Sequence, residues 1–187
     1  MKMNFFSSSF LLASMLFLAT SCKKEVRSET ADENLSSQKL TAASSNIAAK
    51  KSADEDLLKA VRNATSRFHS TTQAINAGYI ADEHCVSVPG LGGMGYHWAN
   101  PLLVDGQFDP LTPEAVLYER DSNGNLHLVA LEYIVLNQGQ ARPMFGSQPF
   151  DINGVPGLPP HWSLHVWLYK DNPAGMFKPF NPTVSCP

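Results

Sequence analysis

A chain of 187 residues, 43% of them apolar, is long and apolar enough for one globular domain with a core of its own. Its formal net charge of -3, with basic residues interleaved among acids at Lys23-Lys24-Glu25 and around Lys50-Lys51, argues against a nucleic-acid partner.

The first residues read as an export signal over 1–21. Lys2 gives the positive start, Phe5, Phe6 and Phe10 to Leu18 supply an apolar run, and small residues lead to Cys22. That run falls short of the about 20 apolar residues a membrane span needs. Leu18-Ala19-Thr20-Ser21-Cys22 resembles the lipobox of bacterial lipoproteins, although leucine stands four residues before the cysteine and Ala19 occupies the customary leucine position. The resemblance implies that Cys22 becomes an acylated mature N-terminus, bearing chains such as palmitate, and that the protein is exported and anchored to a bacterial membrane, the outer membrane being expected. Each buried methylene of such chains contributes about 0.8 kcal/mol. Ordinary secretory cleavage, with Cys22 left as a thiol, is the alternative.

Residues 22–52 are rich in Ser, Ala, Lys, Glu, Thr and Asn with no sustained apolar period, which predicts a flexible tether. The globular domain is then 53–187. Ser52-Ala53-Asp54-Glu55 fits a capping box, and Leu57, Val61, Ala64, Phe68 and Ile75 form an apolar stripe that predicts one helix ending near Gly78.

The glycine-dense run Gly90 to Asn100 reads as neither an ordinary helix nor an ordinary strand, and it places Met94 and His97 three residues apart. Farther on, Ala115 to Arg120 and Leu126 to Val135 are β-prone runs on either side of Asp121-Ser122-Asn123-Gly124-Asn125, a hairpin pattern without calcium-loop spacing. A third run covers Trp162 to Tyr169. Between the second and third runs, Gln138 to Pro160 is Gly- and Pro-rich and predicts a long loop over the sheet. The whole predicts an α+β fold, with one long N-terminal helix packed on an antiparallel sheet and long Gly/Pro-rich loops.

Besides Cys22 the chain has Cys85 and Cys186, which in an exported protein most simply form one disulfide; a metal ligand or a reactive thiol is the alternative. No nucleophile elbow, zinc-protease helix, phosphate loop or Cys-x-x-Cys pair is present. Side-chain alternation puts Glu132 on one face with Leu126, Leu128, Ala130 and Ile134, and His165 on a face with Ser163, Trp167 and Tyr169. A carboxylate pointing with apolar residues needs a partner. His97, Glu132 and His165 are therefore candidate ligands of a divalent metal, zinc or iron ahead of copper, with Met94 the only feature that suits copper. The competing explanation pairs Glu132 with Arg67 or Arg142 and leaves both histidines hydrogen-bonded in the core.

Gly93-Met94-Gly95-Tyr96-His97, Asp105-Gly106, Leu131-Glu132-Tyr133, Leu164-His165-Val166-Trp167 and Asn172-Pro173-Ala174-Gly175-Met176-Phe177 together resemble a family of uncharacterised exported bacterial proteins, over about Leu57 to Cys186. The resemblance implies a single domain behind a removable signal and carries no activity, catalytic residue or cofactor. Two function classes follow from the residues. One is a metal-binding lipoprotein; the other is a non-catalytic module whose exposed Trp98, Trp162 or Trp167 stacks on a sugar or other small molecule in an aromatic-lined cleft.

Overall fold

The computed structural model describes residues 30–186; the signal segment, the lipobox and Cys22 lie outside the described residues. The chain divides into two units between Thr41 and Ala42, and the sheet and the candidate site belong to the second. No helix among the described residues is long and apolar enough to cross a membrane.

Helix α1 spans Thr30–Thr65, so Ser52 lies inside the helix instead of capping it. The reason is composition: no glycine or proline falls between Thr30 and Thr65, and Ala, Lys, Glu and Gln tolerate continued helix even without packing. The predicted tether is thus helical from Thr30, with residues 42–53 fully exposed. Burial begins where the stripe predicts, at Leu57, Leu58 and Val61.

The helix does not run on to Gly78. It ends at Thr65, a 3-10 turn covers Ser66–His69, and Ser70 caps a short helix α2, Thr71–Asn76. Hydroxyl side chains compete with the helical ladder here: Thr65 Oγ1 donates to the carbonyl of Val61 at 2.8 Å, and Ser70 accepts from Gln73 N. The break turns Ile75 out to solvent and keeps Phe68 and Ala74 inward.

Strands β1 (Cys85–Val88), β2 (Gly92–Ala99), β3 (Ala115–Arg120), β4 (Leu126–Leu136), β7 (Asp151–Ile152) and β8 (His161–Val166) form a six-stranded antiparallel sheet in the order β1-β2-β3-β4-β8-β7. The fold is therefore α+β, as the pattern of runs predicts. The Asp121 carboxylate in the β3–β4 turn accepts from the amides of Asn123 and Asn125 and meets His127 Nε2, so turn formation occupies it fully. The Gly/Pro-rich stretch after β4 carries a small separate pair, β5 (Met144–Phe145) with β6 (Gln148–Pro149), as well as edge strand β7.

Two apolar layers sandwich the sheet. On the helix side, Trp98, Val116, Tyr118, Leu131, Tyr133, Val135, Leu164 and Val166 pack with Val61 and Phe68. Tyrosine hydroxyls lock this side: Tyr118 donates to Phe68 O at 2.7 Å and Tyr79 to Pro113 O at 2.6 Å. The opposite side is thinner, with Ala115, Leu117, Val129, Ala130, Trp167 and Val184. A register shift between Leu117 and Tyr118 sends Leu128 to the helix side, so it does not share a face with Glu132 as strict alternation would require.

The C-terminal segment crosses the thin side. Gly93 and Asn181 exchange backbone hydrogen bonds of 3.1 and 2.9 Å, and a side chain at Gly92 would run into the Asn181 backbone. This close approach is what the glycine run makes possible. Cys85 and Cys186 form the disulfide, with Cα atoms 5.5 Å apart and a sequence separation of 101. Because closing so long a loop restricts the unfolded chain, replacing both cysteines by serine should lower stability by about 2–5 kcal/mol in denaturant titrations. Full retention of the midpoint, or two free thiols in protein from an oxidising compartment, would contradict this assignment.

Candidate metal centre

Three strands deliver the site to the thin side of the sheet. Glu132 on β4 lies directly opposite His165 on β8, so their Cβ atoms face each other at cross-strand distance. His97 sits two strands away on β2, opposite Leu117 of β3, and must reach over β3 to meet Glu132. Alanine at position 115, opposite both Ala99 and Glu132, leaves room for that reach.

The three side chains meet. His97 Nε2 is 3.6 Å from Glu132 Oε2, His165 Nδ1 is 3.8 Å from Glu132 Oε1, and the two Nε2 atoms are 3.5 Å apart. One ligand atom from each residue can be chosen so that all lie within 4.8 Å of one another. The short contacts use both nitrogens of His165 and both oxygens of Glu132, so a set with one atom from each residue spans up to 4.8 Å, and side-chain rotation would have to bring it to the about 3.3 Å that separates the ligand atoms of four-coordinate zinc. The observed spacing is not hydrogen-bond spacing, because contacts of 3.6 and 3.8 Å are too long to satisfy a carboxylate.

Arg67 and Arg142 do not serve Glu132: Arg67 lies over the Phe68 ring, and among the described residues the two histidines are the only ion-pair partners of this carboxylate. Nδ1 of His97 is buried without a hydrogen-bond partner. The Gly95 backbone is close enough to favour the charged ring slightly but does not reach hydrogen-bonding geometry.

Burial governs the protonation of all three. Desolvation pushes the Glu132 carboxyl up to about 8 and pulls His97 down to about 4 and His165 down to about 3, the last with help from the neighbouring His97. A metal-free site is thus neutral throughout near pH 7. A divalent cation replaces the proton of Glu132 and meets two imidazoles already in the neutral, ligating form.

Beside the trio opens a cleft of about 340 Å³, lined by His97 and Glu132 and by apolar groups that include Met94, Ala115, Ile134 and Phe180. Met94 reaches it through a bulge. Val86 pairs with Gly95 and Ser87 with Gly93, so Met94 is the extra residue, and Gly95 (φ +94°) absorbs the kink that puts residues 94 and 97 on one side. The tryptophans do not line it: Trp98, Trp162 and Trp167 are 4%, 7% and 3% exposed, packed within the two layers. The aromatic residues form a buried cluster, and no tryptophan face is free to stack on a sugar.

Two functional neighbours escape the sequence reading. Glu114 is buried, and its carboxyl, pushed up to about 8 by desolvation, accepts from Ile134 N at 2.9 Å where β3 has run out of ladder partners. His161 is buried and holds the 154–156 strap: its Nε2 accepts from Val155 N at 2.9 Å while Nδ1 meets Pro159 O at 2.8 Å. The proximity of His161 to Pro159-Pro160 was the available signal.

The linkage signs follow from these shifts. Glu132, with its folded value above the ordinary 4.5, contributes stability below that range and loses it as pH rises through about 8. The histidines, displaced below 6.5, contribute above that value and lose it as pH falls through about 4 and 3. Chelator-treated protein should therefore melt progressively lower as pH rises from about 6.5 to 8, a decline that Glu132→Gln should reduce; an unchanged slope in that variant would refute the assignment. Compared with known proteins, the chain matches no family model, no curated protein and no solved structure.

Proposed function

We propose that this protein is an exported, lipid-anchored, single-domain metal-binding protein that holds one divalent ion through His97, Glu132 and His165. The observation that carries the reading is a buried carboxylate, 3% exposed, approached by one half-buried and one buried imidazole and, among the described residues, by no side chain at hydrogen-bonding distance. Burying a carboxylate in this way is costly unless a cation or a proton compensates it. Zinc and iron suit two imidazoles and one carboxylate; both remaining cysteines are consumed by the disulfide, so no thiolate biases the site toward softer ions. Three protein ligands leave coordination positions open, as catalytic and carrier sites both require.

Export and anchoring are supported by the signal-like N-terminus and by the Cys85–Cys186 bridge, since structural disulfides persist in oxidising compartments. The lipobox-like Cys22 supplies the membrane attachment, with the outer membrane as the proposed location and the segment after Cys22 as the connection to the domain.

Metal analysis of purified wild-type protein is expected to give one zinc or iron per chain after loading and removal of excess metal. At a free concentration of about 100 Kd, the ion should add about 2.7 kcal/mol of stability. Glu132→Gln keeps the shape of the side chain but removes its charge, and should abolish both the stoichiometric metal and the stabilisation while leaving the circular dichroism spectrum unchanged. Equal metal content in wild type and variant would sink the metal reading.

For the anchor, Cys22→Ser should move the protein from the membrane fraction to the soluble fraction after cell breakage. Persistent membrane association would assign attachment to another segment.

A further inference from the structure

We infer that the cleft beside His97 and Glu132 binds a small organic monoanion, its carboxylate head completing the coordination of the metal and its apolar tail lying along the cleft. This rests on the metal reading above, and three features of the structure point to it.

The first is direction. His97 and Glu132 line the cleft, whereas His165 is buried behind them and does not, so the coordination positions left open by the three ligands face the cleft. The second is charge. A divalent ion bound by one carboxylate and two neutral imidazoles keeps one net positive charge, and a single anionic head cancels it. The third is the chemistry of the walls. Val86, Met94, Ile134, Val155, Pro156 and Phe180 present apolar surface, and apart from the two metal ligands no ionisable side chain lines the cleft. A second charge on the ligand would be desolvated without a partner, which selects against dicarboxylates and amino acids. At about 340 Å³ the cleft lies at the small end of ligand sites and suits a short aliphatic or single-ring acid.

The test uses the full-length protein in detergent, with zinc stoichiometry measured first. Acetate, butanoate and hexanoate are then titrated into zinc-loaded and chelator-treated protein by calorimetry, with succinate and 1-hexanol as controls. Expected is binding that requires zinc and tightens about fourfold per added methylene until the cleft is full, from about 0.8 kcal/mol per buried methylene. Succinate and 1-hexanol should bind weakly, the one for its second charge and the other for its uncharged head. Val155→Trp, which fills the cleft from the strap, should keep the zinc and lose hexanoate; Val86→Phe on β1 gives the same reading should the first variant not fold. Zinc binding without any dependence on chain length, succinate binding as tightly as butanoate, or hexanoate binding unchanged in the filled variants would overturn the cleft assignment alone. Hexanoate binding equally well after chelation would overturn the metal-bound head. Failure to bind zinc at all would remove the metal reading and this one together.

Discussion

A carboxyl group in the middle of a sheet must be neutralised, and the surroundings of Glu132 are shaped by that constraint. Its strand is central, its neighbours Ala130 and Ile134 are apolar, and among the described residues no lysine or arginine reaches it. A proton on the acid or a cation shared with His97 and His165 would neutralise it. Burial raises the proton affinity of the acid and lowers that of the two rings, so the same desolvation that makes the bare site neutral makes it a good cation trap once the acid ionises. The carboxylate stands 3.6 and 3.8 Å from the two rings, too far for a hydrogen bond, and one atom from each residue lies within 4.8 Å of the others, so the group could hold a metal ion.

The two faces of the sheet divide the labour. The helix side is sealed by large residues and by tyrosine hydroxyls that bond to backbone carbonyls of the helical region and of the β2–β3 connection, which fixes the curvature of β3 and β4. The thin side is built from alanines at 99, 115 and 130, and small residues there are what allow a histidine from β2 to reach an acid on β4. Irregular segments with independent restraints then cover that side. The C-terminal segment is held by the disulfide and by the Gly93–Asn181 exchange, and the strap by His161. Rigid strands carry the proposed ligands, while non-regular chain forms part of the cleft wall.

Much of this was legible in the sequence, and the rest was not for identifiable reasons. Asn123-Gly124 between two β-prone runs marked the hairpin, a pair of cysteines behind a signal-like N-terminus marked the bridge, and period-two alternation placed Glu132 with Ala130 and Ile134. Alternation failed at Leu128 because it lies beside a bulge, and a bulge adds one residue without leaving a pattern in polarity. The helix start was misread since a polar, alanine-rich segment satisfies helix propensity without an apolar stripe to announce it. Convergence of residues 97, 132 and 165 depended on β8 pairing with β4, a non-local choice that no local spacing encodes. Glu114 was missed because its partner, the amide of Ile134, belongs to the backbone of another strand.

The placement of His165 relative to the cleft separates two roles that a sequence cannot distinguish. A histidine that only completed the core would find a hydrogen-bond acceptor for one nitrogen, as His161 does with Pro159 O. His165 instead has its Nδ1 3.8 Å from Glu132 Oε1 and its Nε2 in a long hydrogen-bond contact of 3.5 Å with His97 Nε2, so both of its nitrogens face members of the trio. His97 adds a buried Nδ1 without a partner. Polar atoms left unsatisfied inside a protein are tolerated when a further interaction repays them; among the described residues these atoms are His97 Nδ1, Trp98 Nε1 and Arg120 Nε, of which only the first belongs to the trio. Two imidazoles and an acid brought together on the thin side form a group that could hold one shared ion.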